Sequence, residues 1–372
     1  MNIAEILKGY DRDQVRIAVL GGHSALDVCH GAKKHGFETV VVAQKGREKT
    51  FEKYYKSRDG KGCVDHVILV DKFEDVLDEK VQDQLRELNC IFIHNRYFWV
   101  YFSDFSKVEK DFKVPIFGLR KGVLLEERDV EKNQYYLLDR AGIRIPRIYN
   151  GAGRIDRLVL VKVNEAERKY ERAFFFANSP KHFEEEAEKR IKSGLITREA
   201  LEAAVIEEYI VGAHINLNYF YSPLTGELEL MGTDTRRQTN LDGLLRLPAK
   251  EQALVREFIE PKIIETGHYA VTMKESLLEK AFVIGEKFVK VMKQEYMPGM
   301  IGPFALQGAV AADEGKEEFV IFDVSMRIPG SPGTKFTPYS GYLYGESLSY
   351  GERIAMEIRD GLDSDRLEEL LT

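Results

Sequence analysis

The chain has 372 residues, 44% hydrophobic and 31% charged, beyond the size at which a single core stops growing, so two or three domains are expected. Its net charge of -7 and pI near 5.8 leave no electrostatic footprint for nucleic acid or an anionic membrane, both of which need clustered Lys and Arg. Cys29, Cys63 and Cys90 stand far apart without a CxxC pair, which argues against a disulfide framework or a cysteine zinc site and fits a reducing cytoplasm.

The prominence of Glu and Lys matches a thermophile surface. The first residues lack the apolar run of a signal peptide, and no stretch has the apolar length of a membrane span. Residues 15–20 read as a strand, Gly21-Gly22-His23-Ser24 as a tight turn, 25–35 as an amphipathic helix closed by Gly36, and 39–43 as a second strand. That is the unit of parallel sheets. A strand at 67–70, a helix over 75–88 and a strand at 90–94 repeat it. Residues 1–120 are therefore expected to form a doubly wound parallel-sheet domain that binds ligands at the carboxyl ends of its strands.

The Gly21 to Ser24 turn offers backbone amides and a helix dipole to an anion, with His23 and Ser24 as further donors and a pH-dependent contribution if the His23 imidazolium takes part. A plain glycine turn with Ser24 as helix cap is the competing reading. The GxGxxG dinucleotide fingerprint is absent.

A helix over 129–141 closes at Gly142, and two β-rich lobes follow, 121–212 and 213–372. The first contains strands at 158–162 and 173–177, a helix over 184–192 and an extended segment at 205–210. Lys162 closes the apolar run Leu158-Val159-Leu160-Val161, and Glu207-Glu208-Tyr209-Ile210-Val211-Gly212 comes later. A nucleotide held between two sheets needs a strand cation for its phosphates and an extended linker whose backbone pairs with the adenine edge. An ordinary buried strand ending in a snorkelling lysine is the alternative.

In the second lobe, 215–221 and 228–232 form a hairpin, 275–294 a long helix, and 303–311 and 319–326 two facing strands. Gln307 and Asp323 share parity on those strands, a pair of oxygen donors for Mg²⁺ whose other ligands are phosphates and water; a solvated strand face is the alternative. Arg236 and Arg237 suit bidentate contacts to phosphate or carboxylate. Arg327 leads into Ile328-Pro329-Gly330-Ser331-Pro332-Gly333-Thr334, a loop placed to close over substrate.

The strand lysine, the Glu-Glu-Tyr linker and the late strand pair resemble the ATP-grasp superfamily. More closely, Gly21-Gly22-His23-Ser24, the linker, Tyr219-Phe220-Tyr221-Ser222-Pro223-Leu224, Glu229-Leu230-Met231-Gly232, Gly302-Pro303-Phe304 and the tail from Pro338-Tyr339-Ser340 to Arg353-Ile354-Ala355 resemble the archaeal formate-dependent synthetases of purine biosynthesis, over essentially the whole chain. The resemblance implies an α/β fold with ATP-grasp lobes after the N-terminal domain, ATP and Mg²⁺ as cofactors, and a cytoplasmic homo-oligomer acting on formate and 5-aminoimidazole-4-carboxamide ribonucleotide. The implied reaction runs through formyl phosphate to the formamido ribonucleotide, ADP and phosphate. By the same resemblance, Lys162 and Arg327 are catalytic, and Lys162, Glu207, Glu208, Tyr209, Ile210 and Gln238 hold ATP. His23, Ser24, Arg236, Asn240 and His268 hold the ribonucleotide, and Gln307 and Asp323 the metal.

The chain also departs from that pattern. Residues 163–172 contain no glycine where the family has a glycine-rich loop; Arg168, Lys169 and Arg172 are the substitutes, opposed by Glu165, Glu167 and Glu171. Gln238 and Gln307 stand for glutamates, His268 for an asparagine, and Asn95-Arg96-Tyr97-Phe98 for a segment with a small serine. A second reading is thus a diverged nucleotide-binding paralogue with no or altered ligase activity: a sensor, a partner subunit, or a ligase for another carboxylate and amine.

Overall fold

The computed structural model describes residues 3–102, 104–128, 130–163, 173–259, 264–313, 315–330 and 332–372; the glycine-free segment at 164–172, and Asp129 and Ser331, lie outside them. Five parallel strands, β1 (Arg16–Leu20), β2 (Glu38–Gln44), β3 (His66–Val70), β4 (Cys90–Ile93) and β5 (Ile116–Phe117), form the first sheet in the order β3-β2-β1-β4-β5. The middle strands are buried on both faces, as near-continuous apolar runs require when helices cover each side. The chain order reverses between β1 and β4, so a crevice opens beyond their carboxyl ends. Gly21 to Ser24 and Asn95-Arg96 occupy that place. The helix expected at 75–88 is broken at Asp78 into a 3₁₀ turn, Phe73–Leu77, and a helix, Glu79–Glu87. Asp78 is extended, and each piece buries its own side chains, Phe73 and Val76 against Gln82 and Leu85.

A small antiparallel sheet follows, β6 (Val159–Lys162), β7 (Phe175–Ala177) and β8 (Val205–Glu208), ordered β7-β6-β8. Helix Pro180–Lys192 covers it with Phe183 and Ala187. It starts earlier than its apolar periodicity indicated, because Pro180 opens the first turn and the Ser179 hydroxyl accepts from the His182 amide.

The third sheet comprises β9 (Ala213–Ser222), β10 (Glu227–Gln238), β11 (Glu265–Ala270), β12 (Gly302–Asp313) and β13 (Lys316–Ser325), in the order β11-β10-β9-β12-β13. β10 extends to Gln238, well past the expected hairpin, because β11 supplies a partner along its second half: Asp234 faces Ala270 and Arg236 faces His268. Helix Glu275–Glu295 packs on this sheet through Leu277, Ala281, Phe288 and Met292. Gly285 permits the approach, since a Cβ there would lie 2.9 Å from the Tyr219 ring.

After β13 the chain returns to the N-terminal sheet. Helix Tyr350–Asp363 lies against helix Ala25–Lys34 at two glycines: a Cβ on Gly31 would fall 2.0 Å from the Gly351 carbonyl carbon, and one on Gly351 2.0 Å from the Asp27 oxygen. Residues from β1, β2 and this late helix share one core. Among the described residues, no helix is long and apolar enough to cross a membrane.

Candidate active site

The crevice beyond β1 and β4 faces the ends of β10 to β13, and the two sides meet through charged side chains. On the N-terminal side, Gly21 N–H is bonded to the Val42 carbonyl and Gly22 N–H to the Leu20 carbonyl, so neither amide of the turn's glycines is open to an anion. Ser24 occupies the helix N-cap position in left-handed backbone, φ 69°, but its hydroxyl caps nothing; it donates to the Pro329 carbonyl at 3.0 Å. The cap expected from the sequence is replaced by a tether to the loop after β13. His23 packs against Gly330, where an added Cβ would lie 2.2 Å from the imidazole. Burial pushes its pKa down to about 4, against the opposing pull of Glu265. Burial thus favours the neutral imidazole in this cleft.

The opposite wall is organised by two carboxylates the sequence did not single out. Asp234, fully buried on β10, accepts from Asn218 Nδ2 at 2.6 Å, from Asn216 Nδ2 at 2.8 Å and from His268 Nδ1 at 2.5 Å. His268 Nε2 meets Glu265 Oε1 at 2.8 Å. Burial opposes charge on His268, but the two carboxylates outweigh it and hold its pKa up to about 9. Glu265 Oε2 lies 3.2 Å from Arg236 Nε and 3.7 Å from Arg96 Nη1. Despite its burial, these partners keep the carboxyl far below the usual range.

Gln307 and Asp323 face each other across β12 and β13, as their parity required. Gln307 Oε1 accepts from Arg236 Nη2, and its amide nitrogen donates to Ser325 Oγ at 2.9 Å. Asp323 lies 3.5 Å from Arg128 Nη2 and 3.9 Å from Arg236 Nη2. Arg327 reaches Glu126 at 3.3 Å, while its Nε is buried and bonds nothing among the described residues. Burial raises the Glu126 carboxyl to about 7.

Lys162 joins the same array from the small sheet. Its Nζ is 2.7 Å from Glu207, 3.0 Å from Tyr135 Oη and 2.9 Å from the Phe322 carbonyl, one residue from Asp323. Burial pulls its pKa below the ordinary lysine value although Glu207 pulls the other way. On β8 the Glu208 amide donates to the Arg147 carbonyl and the Tyr209 amide to Leu158. The Glu208 side chain turns outward to Arg157, and the Tyr209 ring packs edge-on against Phe176.

Comparison with known proteins bears on the whole chain. Residues 182–372 match the family model "Domain of unknown function (DUF1297)" and residues 17–149 match "Protein of unknown function (DUF1246)". The 5-formaminoimidazole-4-carboxamide-1-(beta)-D-ribofuranosyl 5'-monophosphate synthetase of Methanothermobacter thermautotrophicus is 40% identical, the alignment covering 100% of this chain and 98% of that protein. The chain belongs to this synthetase family. The Methanopyrus kandleri member is 39% identical over the same shares. The crystal structure of the IMP biosynthesis protein PurP from Thermococcus kodakaraensis superimposes with a TM-score of 0.68 at 26% identity, covering 96% of this chain and 100% of that one. The ADP complex of N5-carboxyaminoimidazole ribonucleotide synthetase, at 12% identity and a TM-score of 0.59 over 90% of this chain and 78% of that one, shares the ATP-grasp fold.

Within this synthetase-family fold, Arg236, Gln238, His268, Gln307, Asp323 and Arg327 line one cleft, with His23 at its rim and Lys162 and Glu207 behind it. Asn240 is not brought in: it is exposed, in left-handed backbone with φ 59°, at the cap of helix Leu241–Leu244. Asp234, Glu265, Arg128 and Tyr135 belong to the array and were missed. Only Asp234 has a sequence signal, alternation: Asn216 and Asn218 share parity on β9, and Asp234 pairs with Asn216 from β10.

Proposed function

We propose that this ATP-grasp carbon–nitrogen ligase formylates 5-aminoimidazole-4-carboxamide ribonucleotide with formate in purine biosynthesis. The observation that carries the reading is the cluster of polar groups that lines the cleft, with Lys162 on the Phe322 carbonyl, and Arg236 between Asp323 and Glu265, whose other side faces His23. It joins the strand lysine to the switch-point turn of the N-terminal domain. The end-to-end identity with named synthetases favours this reading over a catalytically silent paralogue.

With ATP bound between the small and large antiparallel sheets, Lys162 would meet the phosphates. Because the Glu208 and Tyr209 amides are taken, the linker reads adenine through the Glu208 carbonyl and the Ile210 N–H. Gln307 and Asp323 supply hard oxygen donors from adjacent strands, a set that fits Mg²⁺ with fewer negative ligands than two carboxylates would give. Such an ion would neutralise phosphate charge. A formate oxygen bonds to the γ-phosphorus as the bond to ADP breaks. The ribonucleotide amine then forms the C–N bond as the C–O bond to phosphate breaks, and the amine proton passes to the departing phosphate. Arg327 and Arg128, which line the cleft, would hold the oxyanion charge of both steps.

The test is ADP release by the purified protein. Release that requires formate and the ribonucleotide together is the expected result. Release independent of either, or dependent on a different carboxylate and amine, would overturn the substrate assignment.

A further inference from the structure

We propose that His23, Glu265 and His268 form a binding site for a divalent transition-metal ion, separate from the Gln307 and Asp323 oxygen pair. Glu265 Oε1 lies 2.8 Å from His268 Nε2 and 3.6 Å from His23 Nε2, and the three ligand atoms fall within 4.8 Å of one another. Donors that share one ion at about 2.0–2.2 Å stand roughly 3 Å apart. The three side chains come from two distant parts of the chain, His23 from the turn after β1 and the other two from β11, so the site exists only in the assembled cleft.

The surroundings are built for a ligand set rather than for a chance cluster. His268 Nδ1 lies 2.5 Å from Asp234, which is fully buried and fixed by the Asn216 and Asn218 amides. A metal-bound imidazole that gives its other N–H to a carboxylate has its ring plane and tautomer set; the ion takes the place of the Nε2 proton that otherwise lies between His268 and Glu265, and that proton is released on binding. Glu265 divides its two oxygens: Arg236 and Arg96 approach Oε2, which leaves Oε1 to the imidazoles. His23 is seated on Gly330, which has no side chain to displace it.

Two imidazoles and one carboxylate favour Zn²⁺, Co²⁺ or Fe²⁺ over Mg²⁺, and three protein ligands leave positions open to an anionic oxygen in the cleft. The probe is Co²⁺, whose visible d–d absorption reports its ligands, with Zn²⁺ as competitor. A saturable, one-to-one band is expected, weakened at least 100-fold in affinity by His268→Asn and by His23→Ala. Asp234→Asn should weaken it by about 10- to 100-fold with all three ligands intact. Asp323→Asn should leave the band in place, because the oxygen pair is not its site. Thermal unfolding of each variant without metal confirms that it is folded. No band from the unmodified protein, a band indifferent to both histidine substitutions, or one abolished by Asp323→Asn would each overturn the site. The readout needs no turnover, so it stands or falls apart from the formylation assay.

Discussion

Arg353 and Arg327 are both buried arginines paired with buried glutamates, and they differ in how completely the pair is closed. Arg353 meets Glu229 with Nε at 2.9 Å and Nη2 at 2.8 Å and lies 4.2 Å from the Phe220 ring centre; its Nη1 is 2.9 Å from Glu357, an ion pair without hydrogen-bond geometry. Tyr344 and Ser222 complete the carboxylates. Arg327 has one contact to Glu126 at 3.3 Å and one to its neighbour's carbonyl at 3.5 Å, and its Nε is buried without a bonded partner among the described residues. A closed bidentate pair is a staple between elements. An open one holds donors ready for an anion that arrives from outside.

Removing one partner of the closed pair should have the largest effect. Glu229→Ala removes the bidentate partner of a buried guanidinium and leaves it only the Glu357 ion pair, which should cost about 3 kcal/mol in denaturant unfolding, with nucleotide affinity of the folded fraction unchanged. An equal loss of stability from Arg327→Met would erase the distinction. Instead, Arg327→Met should lower turnover about 100-fold, the scale of one lost oxyanion donor, while the unfolding midpoint moves little.

Lys162 is the intermediate case, since it is paired with Glu207 yet lies beside the expected phosphates. Lys162→Met should weaken ATP binding by on the order of 2 kcal/mol in calorimetry; unchanged affinity would class this pair with the staples. His94 sharpens the comparison from the other side, being buried with neither ring nitrogen at hydrogen-bonding geometry. Burial lowers its pKa to about 3. The unfolded chain therefore takes up a proton below the ordinary value near 6.5 while the folded protein does not, and stability falls as pH drops through that window. Between pH 7 and 5.5 the unmodified protein should lose about 1 kcal/mol more than His94→Gln; parallel pH profiles would show that His94 is not held neutral.

Strands with continuous apolar runs were readable from residue order alone, which is why β1, β2, β4, β6, β12 and β13 fall where the pattern puts them, with Lys162, Gln307 and Asp323 upon them. β11 was not. Glu265-Thr266-Gly267-His268-Tyr269-Ala270 has no apolar alternation, since it pairs only with β10 at a sheet edge and serves the cleft rather than a core. Missing β11 truncated β10 and hid Asp234 and Glu265, whose significance lies in partners from other elements. Asn240 shows the converse: its motif was legible, but it lies exposed at the cap of helix Leu241–Leu244 rather than in the lining of the cleft. Nothing local to Gly21-Gly22-His23-Ser24 reveals that Val42 and Leu20 take up the glycine amides.

The glycine contact between helices Ala25–Lys34 and Tyr350–Asp363 bears on the order in which the molecule can be made. The two residues are about 320 positions apart, and their backbones touch where no side chain fits. While the ribosome is still reading the middle of the message, the apolar face around Val28, Ala32 and Val41 has no cover. The N-terminal sheet must wait, compact but unsealed, until the late helix emerges to close it. A growing chain of this design spends most of its synthesis with that face available to chaperones, and a pause placed before codon 350 would lengthen the exposure without changing a residue.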